Sequence, residues 1–222
     1  MNSYELLLER LRTIPQSFDP GDFMSYSKFS DRVQYCDATL TKIGSGSSRI
    51  VYKLDDNKAL KIAKNRKGVA QNEQEYSTYS DGYSCLAKVY SADDSNFYWI
   101  ISELASKVKP SDFNSLWGIS FDEVKLIIIA THDQYSHAKN ALLHDGDKEL
   151  ADRLMEEYVY SEKIPELYDL YNYLCDFTPS NIYDLCYIRN WGKVNRNGNE
   201  ELVIIDNGLS DEVVNNFYAP RR

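Results

Sequence analysis

The sequence predicts an α+β fold in which a five-stranded sheet comes first and a mostly helical half follows. Runs rich in β-branched and aromatic residues, bounded by turn residues, predict strands at 40–43, 49–54, 59–63, 86–91 and 97–103. Helical spacing over 69–80 places one helix after the third strand, and further helical spacing covers most of 120–175. The order of elements therefore separates a sheet-forming part from a helix-forming part.

A late hairpin and an N-terminal helix complete the pattern. Apolar segments at 191–194 and 202–205 flank an Asn-Gly pair at 197–198, which favours a tight hairpin turn. Residues 3–14 have leucines at helical spacing, and the proline, glycine and serine residues of 15–30 predict a linker. We therefore divide the chain into an N-terminal helix with linker, a sheet lobe and a helical lobe, at 1–38, 39–105 and 106–222.

The composition argues against several classes of protein. The 222 residues carry 34 acidic and 25 basic side chains, a net charge of −9, so no nucleic-acid partner is expected. The 4 cysteines show neither a C-x-x-C pair nor the density of a disulfide framework, which favours reduced thiols in a cytoplasm. No apolar stretch is long enough to cross a membrane, and no signal peptide is predicted. We expect a cytoplasmic protein without a membrane partner.

A glycine-containing turn between the first two strands is the first motif with chemical content. Gly44 and Gly46 belong to a G-x-G-x-x-R-x-V segment that continues directly as a strand. A dinucleotide-binding fold would need a helix there, and a Walker loop would need Gly-Lys-Ser or Gly-Lys-Thr. Strand, glycine turn and strand is instead the arrangement with which protein kinases cover nucleotide phosphates.

A lysine on the third predicted strand is the second motif. Lys61 ends an Ala-Leu-Lys segment similar to the V-A-I-K strand of kinases, in which the lysine binds the α- and β-phosphates. Ala59 shares its face of the strand and is small enough to leave room for an adenine. The helix that follows offers Glu73 and Glu75 as ionic partners for Lys61, and of the two we favour Glu75.

With these segments, residues 42–210 resemble the protein-kinase-like superfamily. Residues 98–105 resemble the fifth strand and the hinge, and 202–208 resembles the strand that enters the D-F-G motif, with Asn207 in place of Phe. The resemblance implies a two-lobed protein-kinase-like fold with a short helical second lobe and with ATP between the lobes. The residues that it assigns to ATP binding are Ile43, Gly44, Gly46, Val51, Ala59, Lys61, Glu75, Glu103 and Ala105.

The resemblance also implies a magnesium site and a catalytic aspartate. Asp206 and Asn190 would bind Mg²⁺, and Asp184 would orient or deprotonate an acceptor hydroxyl. A second register, Asp176 with Asn181, also fits and reproduces the D-x-x-x-x-N spacing of kinases. We favour the first register because the predicted hairpin begins directly after Asn190, whereas 25 positions separate Asn181 from Asp206.

The function that the resemblance implies is ATP- and magnesium-dependent phosphoryl transfer to an unidentified acceptor, either a small molecule or a protein. Two alternatives stay open: a pseudokinase that binds a nucleotide or a partner without turnover, and nucleotidyl transfer on the same fold. Because 14 residues follow Gly208, we expect no A-P-E segment, which favours a small-molecule phosphotransferase or a minimal kinase. Residues 184–213 also look like minimal kinase-like proteins of tailed phages, which would work in the host cytoplasm.

Overall fold

The computed structural model of the protein describes residues 17–135, 143, 145–176, 182–208 and 211–217. The predicted helix at 3–14 and the alternative metal ligand Asn181 lie outside the described residues. Among the described residues, no helix is long and apolar enough to span a membrane. Cys36, Cys85, Cys175 and Cys186 all lie in the described part of the chain, and none of them forms a disulfide.

Five antiparallel strands form the sheet of the first lobe, as predicted. They are β1 (Thr41–Ser45), β2 (Arg49–Lys53), β3 (Lys58–Ala63), β4 (Val89–Ala92) and β5 (Trp99–Glu103). Their spatial order is β1-β2-β3-β5-β4. The pairing places Lys61 of β3 opposite Val51 of β2 and Ile100 of β5. Lys61 therefore lies at the centre of the sheet.

Helix α3 (Arg66–Ser80) follows β3 and buries an unusually polar face. The side chain of Asn65 accepts hydrogen bonds from the N–H groups of Lys67 and Gly68, which caps the helix. The residues that α3 buries are Gly68, Gln71, Asn72, Glu75 and Thr78. Buried polar groups are costly unless they are paired, so this face requires partners from the neighbouring strands.

Two helices precede the sheet where the sequence predicts mostly linker. Helix α1 (Pro20–Ser25) lies inside the predicted linker, and α2 (Phe29–Thr39) extends from its end to the start of β1. The linker prediction was wrong for α1 because its proline and glycine are compatible with a first helical turn, which the side chain of Asp19 caps. Phe23 of α1 packs edge-on against Trp99 of the sheet, with ring centroids 5.8 Å apart.

Between β5 and residue 176, the described residues of the second lobe form four α-helices and a π-helical turn. They are α4 (Pro110–Trp117), α5 (Phe121–Tyr135), α6 (Asp145–Leu154), the π-helical turn Met155–Tyr160, and α7 (Pro165–Asp176). The predicted capping box is present, because the Ser120 N–H donates to Glu123 Oε2 at 2.6 Å and the Glu123 N–H donates to Ser120 Oγ at 3.2 Å. Helix α4 was not predicted.

A second sheet joins the two lobes. It consists of β6 (Ser106–Lys107), β7 (Trp191–Arg196) and β8 (Asn199–Ile204), and helix α8 (Asp211–Phe217) follows it. The Asn-Gly turn of the β7–β8 hairpin is present as predicted, with φ values of 55° at Asn197 and 87° at Gly198. The Ile204 N–H donates to the Cys85 carbonyl at 2.8 Å, which joins the hairpin to the segment before β4. The end of β8 is therefore held beside the first lobe.

Candidate functional site

A cleft of about 210 Å³ lies between the first sheet and the hairpin. Eight of the residues that the sequence predicts for the site line it: Ile43, Val51, Ala59, Lys61, Glu103, Ala105, Asn190 and Asp206. Five further lining residues were not predicted: Arg49, Ser102, Leu104, Arg189 and Ile205. Glu75 lies behind the lining, whereas Gly44, Gly46 and Asp184 are not part of it.

An ion pair between β3 and α3 forms the back of the cleft. Lys61 Nζ lies 2.6 Å from Glu75 Oε2, and Glu75 is 3% exposed. The same ammonium donates to the backbone carbonyl of Ile205 at 2.9 Å. Glu73, the alternative partner, instead lines a separate pocket between α3 and α8. The structure thus pairs Lys61 with Glu75 and orients it towards the hairpin.

Arg49 connects the same glutamate to the other side of the cleft. Its Nη1 lies 2.6 Å from Glu75 Oε1, and its Nη2 lies 2.7 Å from Asp206 Oδ1. The Arg49 side chain is 9% exposed, whereas that of Asp206 is 44% exposed. The guanidinium is therefore held between a buried carboxylate and one that faces the cleft.

These contacts determine the charge state of Glu75. Burial alone would raise its pKa, but the charges of Arg49 and Lys61 outweigh burial and lower the pKa below its ordinary value of 4.5. Glu75 is therefore ionised at neutral pH. Arg49, Lys61, Glu75 and Asp206 together carry two positive and two negative charges.

The glycine turn is attached to the start of α3. Lys64 Nζ donates to the Gly46 carbonyl at 2.6 Å, and the side chain of Asn65 donates to the Ser47 carbonyl at 3.0 Å. Ser48 Oγ donates to the side chain of Gln71 at 2.6 Å. A Cβ atom at Gly46 would meet no atom within 4 Å, so the turn leaves open space on that side.

The strand that leaves the first sheet provides the backbone of the predicted hinge. The Glu103 N–H donates to the Lys88 carbonyl at 2.7 Å, and the Leu104 N–H donates to the Asn57 carbonyl at 2.8 Å. Both carboxylate oxygens of Glu103 bind Arg196, at 3.1 and 2.6 Å. The Glu103 side chain thus joins β5 to the hairpin, and because the Glu103 N–H is paired as well, neither of these groups makes the adenine contact that the sequence predicts.

The aspartates of the two predicted registers, Asp184 and Asp176, lie in different places. Asp184 ends a 3₁₀ turn, Ile182–Asp184, and its carbonyl accepts a hydrogen bond of 2.7 Å from Asn190 Nδ2. The Asn190 carbonyl in turn accepts from the Ile205 N–H at 2.9 Å, which places Asn190 next to the segment with Asp206. Asp176 lies at the C-terminal end of α7, where it is exposed and accepts a hydrogen bond from the Tyr83 hydroxyl. Asn190 lines the cleft, and Asp184 is joined to it through the backbone.

The cleft contains oxygen donors that suit a magnesium ion. Asp206 and Asn190 both line it. Arg49 donates a hydrogen bond to one carboxylate oxygen of Asp206. Among the residues that the structure describes, the other oxygen has no partner. In the described part of the chain, no three His, Cys, Asp or Glu side chains are grouped so that they could hold a metal ion, so a metal would need phosphate oxygens or water as further ligands.

Comparison with known proteins gives likenesses of low identity. No protein-family model and no curated protein matches the chain. Similar solved structures include the ternary complex of APH(2″)-IIa with streptomycin and ATP, at 14% identity over 82% of this chain and 71% of that chain, with a TM-score of 0.35. The ADP-bound aminoglycoside phosphotransferase APH(2″)-Ib is 16% identical over 76% of this chain and 65% of that chain, with a TM-score of 0.35. The GDP and kanamycin complex of APH(2″)-IIia is 12% identical over 80% of this chain and 70% of that chain, with a TM-score of 0.39.

The fold assignment depends on the chain's own topology. A five-stranded antiparallel sheet has one helix after its third strand, and the chain then enters a helical lobe. A hairpin returns to the cleft and ends beside Asp206. This is the two-lobed α+β fold that the sequence predicts.

Proposed function

We propose that the protein binds ATP in the cleft and transfers its terminal phosphoryl group to an acceptor hydroxyl. The observation that supports this proposal most directly is the paired Lys61, which is held by Glu75 at 2.6 Å and lines the same cleft as Asp206. A lysine fixed by a buried carboxylate can bind phosphate oxygens without losing further side-chain entropy. Phosphoryl transfer requires this kind of positioning together with charge stabilisation.

The lining favours one orientation of the nucleotide. Ala59, Val51 and Ile43 provide apolar surface at the hinge side of the cleft, where an adenine would lie. The N–H groups of Glu103 and Leu104 are already paired, so we assign the base contact to the backbone of Ala105. The phosphates then extend towards Lys61 and the glycine turn.

Magnesium fits this arrangement through Asp206 and Asn190. Mg²⁺ binds one or two carboxylates together with substrate phosphates and water, and this donor set is present. When bound, the ion would neutralise charge on the phosphate oxygens during transfer. Within the chain itself, the carbonyl of Asp184 holds the Asn190 amide, so Asn190 keeps its place at the cleft wall. We assign to Asp184 the role of orienting the acceptor hydroxyl.

A second candidate function is nucleotide binding without turnover. Two observations favour it. Arg49 already donates a hydrogen bond to one of the two Asp206 oxygens that a metal would use, and Asp184 is not part of the cleft lining. Both functions predict nucleotide binding, and only the first predicts ADP release. The nucleotidyl-transfer alternative, the tailed-phage source and the cytoplasmic location stay predictions from the sequence.

A nucleotide-binding and turnover experiment separates these functions. A ligand that binds only the folded state raises the melting temperature, so we expect about 1 mM Mg-ATP to raise it. With water as the phosphoryl acceptor, slow release of ADP and phosphate should be measurable in the wild type and lost in Asp206→Ala. Asp56→Ala, an exposed aspartate in the β2–β3 turn, is the matched control and should keep wild-type release. A melting curve unchanged by ATP would refute both functions, whereas binding without ADP release would favour the second.

A further inference from the structure

Arg49 occupies a distinctive position in this cleft. It stands where a G-x-G-x-x-G loop has its third glycine, and its guanidinium contacts carboxylates from two other parts of the fold. We propose that Arg49 supplies the positive charge that allows the cleft to bind nucleotide phosphates without a divalent metal. The inference rests on the proposed nucleotide binding and adds a specific role for one residue within it.

The contacts of Arg49 make its charge a permanent part of the site. An arginine stays protonated at any pH at which the protein is folded, and its planar group can bind two carboxylates at once. Here it binds Glu75 at 2.6 Å and Asp206 at 2.7 Å, with its own side chain 9% exposed. The guanidinium is thus fixed at the cleft wall before any ligand arrives.

The second step concerns Asp206. A carboxylate that faces a phosphate site repels a polyphosphate unless a cation lies between them or beside them. A divalent ion would provide this compensation, but Arg49 already binds Asp206 Oδ1. Arg49 therefore removes much of the repulsion that Asp206 would exert on a metal-free nucleotide.

The third step is the charge of the whole cleft. Its lining contains three basic side chains, Arg49, Lys61 and Arg189, and two acidic ones, Glu103 and Asp206. Behind this lining, Glu75 pairs with both Arg49 and Lys61, and Arg196 pairs with both Glu103 and Glu201. The lining and these paired groups together carry four positive and four negative charges. In a protein with a net charge of −9, the cleft is therefore electrically balanced without any added metal, and Arg49 supplies one of its four positive charges.

The test measures ATP affinity by titration calorimetry in excess EDTA and again in excess Mg²⁺. The wild type should bind ATP in EDTA with an affinity within about threefold of that in Mg²⁺. Arg49→Gln should lose about tenfold or more of the affinity in EDTA and recover most of it in Mg²⁺, because Asp206 is then uncompensated. Lys53→Gln, which removes a half-buried cation of the same strand that pairs with Asp56, should behave as the wild type.

A double variant separates a charge effect from a loss of structure. Arg49→Gln combined with Asp206→Asn removes one positive and one negative charge, so the net charge of the cluster is the same as in the wild type. We expect it to regain metal-free affinity relative to Arg49→Gln alone. If both variants bound ATP weakly in EDTA, Arg49 would act by stabilising the structure of the site and not through its charge. This result would overturn the proposal.

The remaining outcomes are distinguishable from a failure of the proposed function. ATP binding by the wild type only in Mg²⁺ would overturn the role of Arg49 and leave nucleotide binding intact. The absence of ATP binding in both buffers would overturn the proposed function and this inference together.

Discussion

The ammonium group of Lys61 donates a hydrogen bond of 2.9 Å to the carbonyl of Ile205, which lies 144 residues further along the chain. Lys61 belongs to the central strand of the first sheet, whereas Ile205 directly follows the last strand of the hairpin. Since Asp206 is the next residue, this bond determines how far the lysine lies from the carboxylate across the cleft. The geometry of the site thus depends on the packing of the two lobes.

Replacement of Lys61 tests the phosphate-binding wall of the cleft. Lys61→Ala should weaken ATP affinity about tenfold or more, because a charge-assisted hydrogen bond to phosphate is lost. Titration calorimetry in Mg²⁺ measures the effect, and Lys53→Ala serves as the control because Lys53 is on the neighbouring strand and pairs with Asp56 instead. Equal affinity in the wild type and in Lys61→Ala would show that the nucleotide binds elsewhere.

Two aspartate variants test the catalytic register. Asp184→Asn should lower turnover about a hundredfold or more while ATP affinity changes little, since general-base and orienting groups act mainly on transfer. Asp176→Asn should leave turnover near the wild type, because Asp176 is exposed at the end of α7 and accepts a hydrogen bond from Tyr83. ADP release under saturating ATP measures both variants. If Asp176→Asn lost turnover and Asp184→Asn kept it, Asp176 would be the catalytic aspartate.

The pH dependence of stability tests the charge of Glu75. Its pKa in the folded protein is below the ordinary value of 4.5, despite burial, because of Arg49 and Lys61. A group with a lowered folded-state pKa stabilises the protein above its unfolded-state pKa, and this contribution is lost as the pH falls through the folded-state pKa. Glu75→Gln should therefore cost about 3 kcal/mol near neutral pH. The cost should shrink below pH 4.5.

Chemical denaturation at a series of pH values measures this effect. Glu73→Gln is the matched control, because Glu73 is on the same helix but lines the pocket towards α8. A constant difference between Glu75→Gln and the wild type at all pH values would contradict the assigned ionisation.

Gly192 tests the close approach between the hinge and the hairpin. A Cβ atom there would lie 2.3 Å from Cβ of Ala105 and 2.7 Å from Cγ2 of Ile205, both of which line the cleft. Gly192→Ala should lower stability by about 1–3 kcal/mol through overpacking and should also weaken nucleotide binding. Gly146→Ala on α6 is the control, because a Cβ atom at Gly146 meets nothing within 4 Å. Thermal melting with and without ATP measures both effects. If Gly192→Ala kept the wild-type melting temperature and its increase with ATP, the hinge would be able to shift to accommodate the methyl group.

Local sequence patterns determined most of the secondary structure. The five strands, the helix after β3, the Asn-Gly turn and the capping box of Ser120 with Glu123 were all predicted and are present. Each depends on interactions between residues a few positions apart, and these can be recognised in the sequence. Helix α1 was missed because the same proline and glycine residues are typical of linkers and of first helical turns.

The candidate site was predictable only where its residues belong to recognisable segments. Lys61 was indicated by the glycine turn and the Ala-Leu-Lys strand, and Asp206 was indicated by the segment before Gly208. Both residues line the cleft. The one available signal for Arg49 was its place in the loop, where the motif has a glycine. That signal marks a departure from the motif but does not reveal what the side chain contacts.

The tertiary structure alone decided the charge network. Arg49 finds Glu75 at a separation of 26 residues and Asp206 at a separation of 157 residues. A sequence determines which residues are charged and which helices and strands carry them. The partners of a buried charge depend on how those elements pack, because an ion pair in a low-dielectric interior forms only between groups that the whole fold brings within hydrogen-bonding distance.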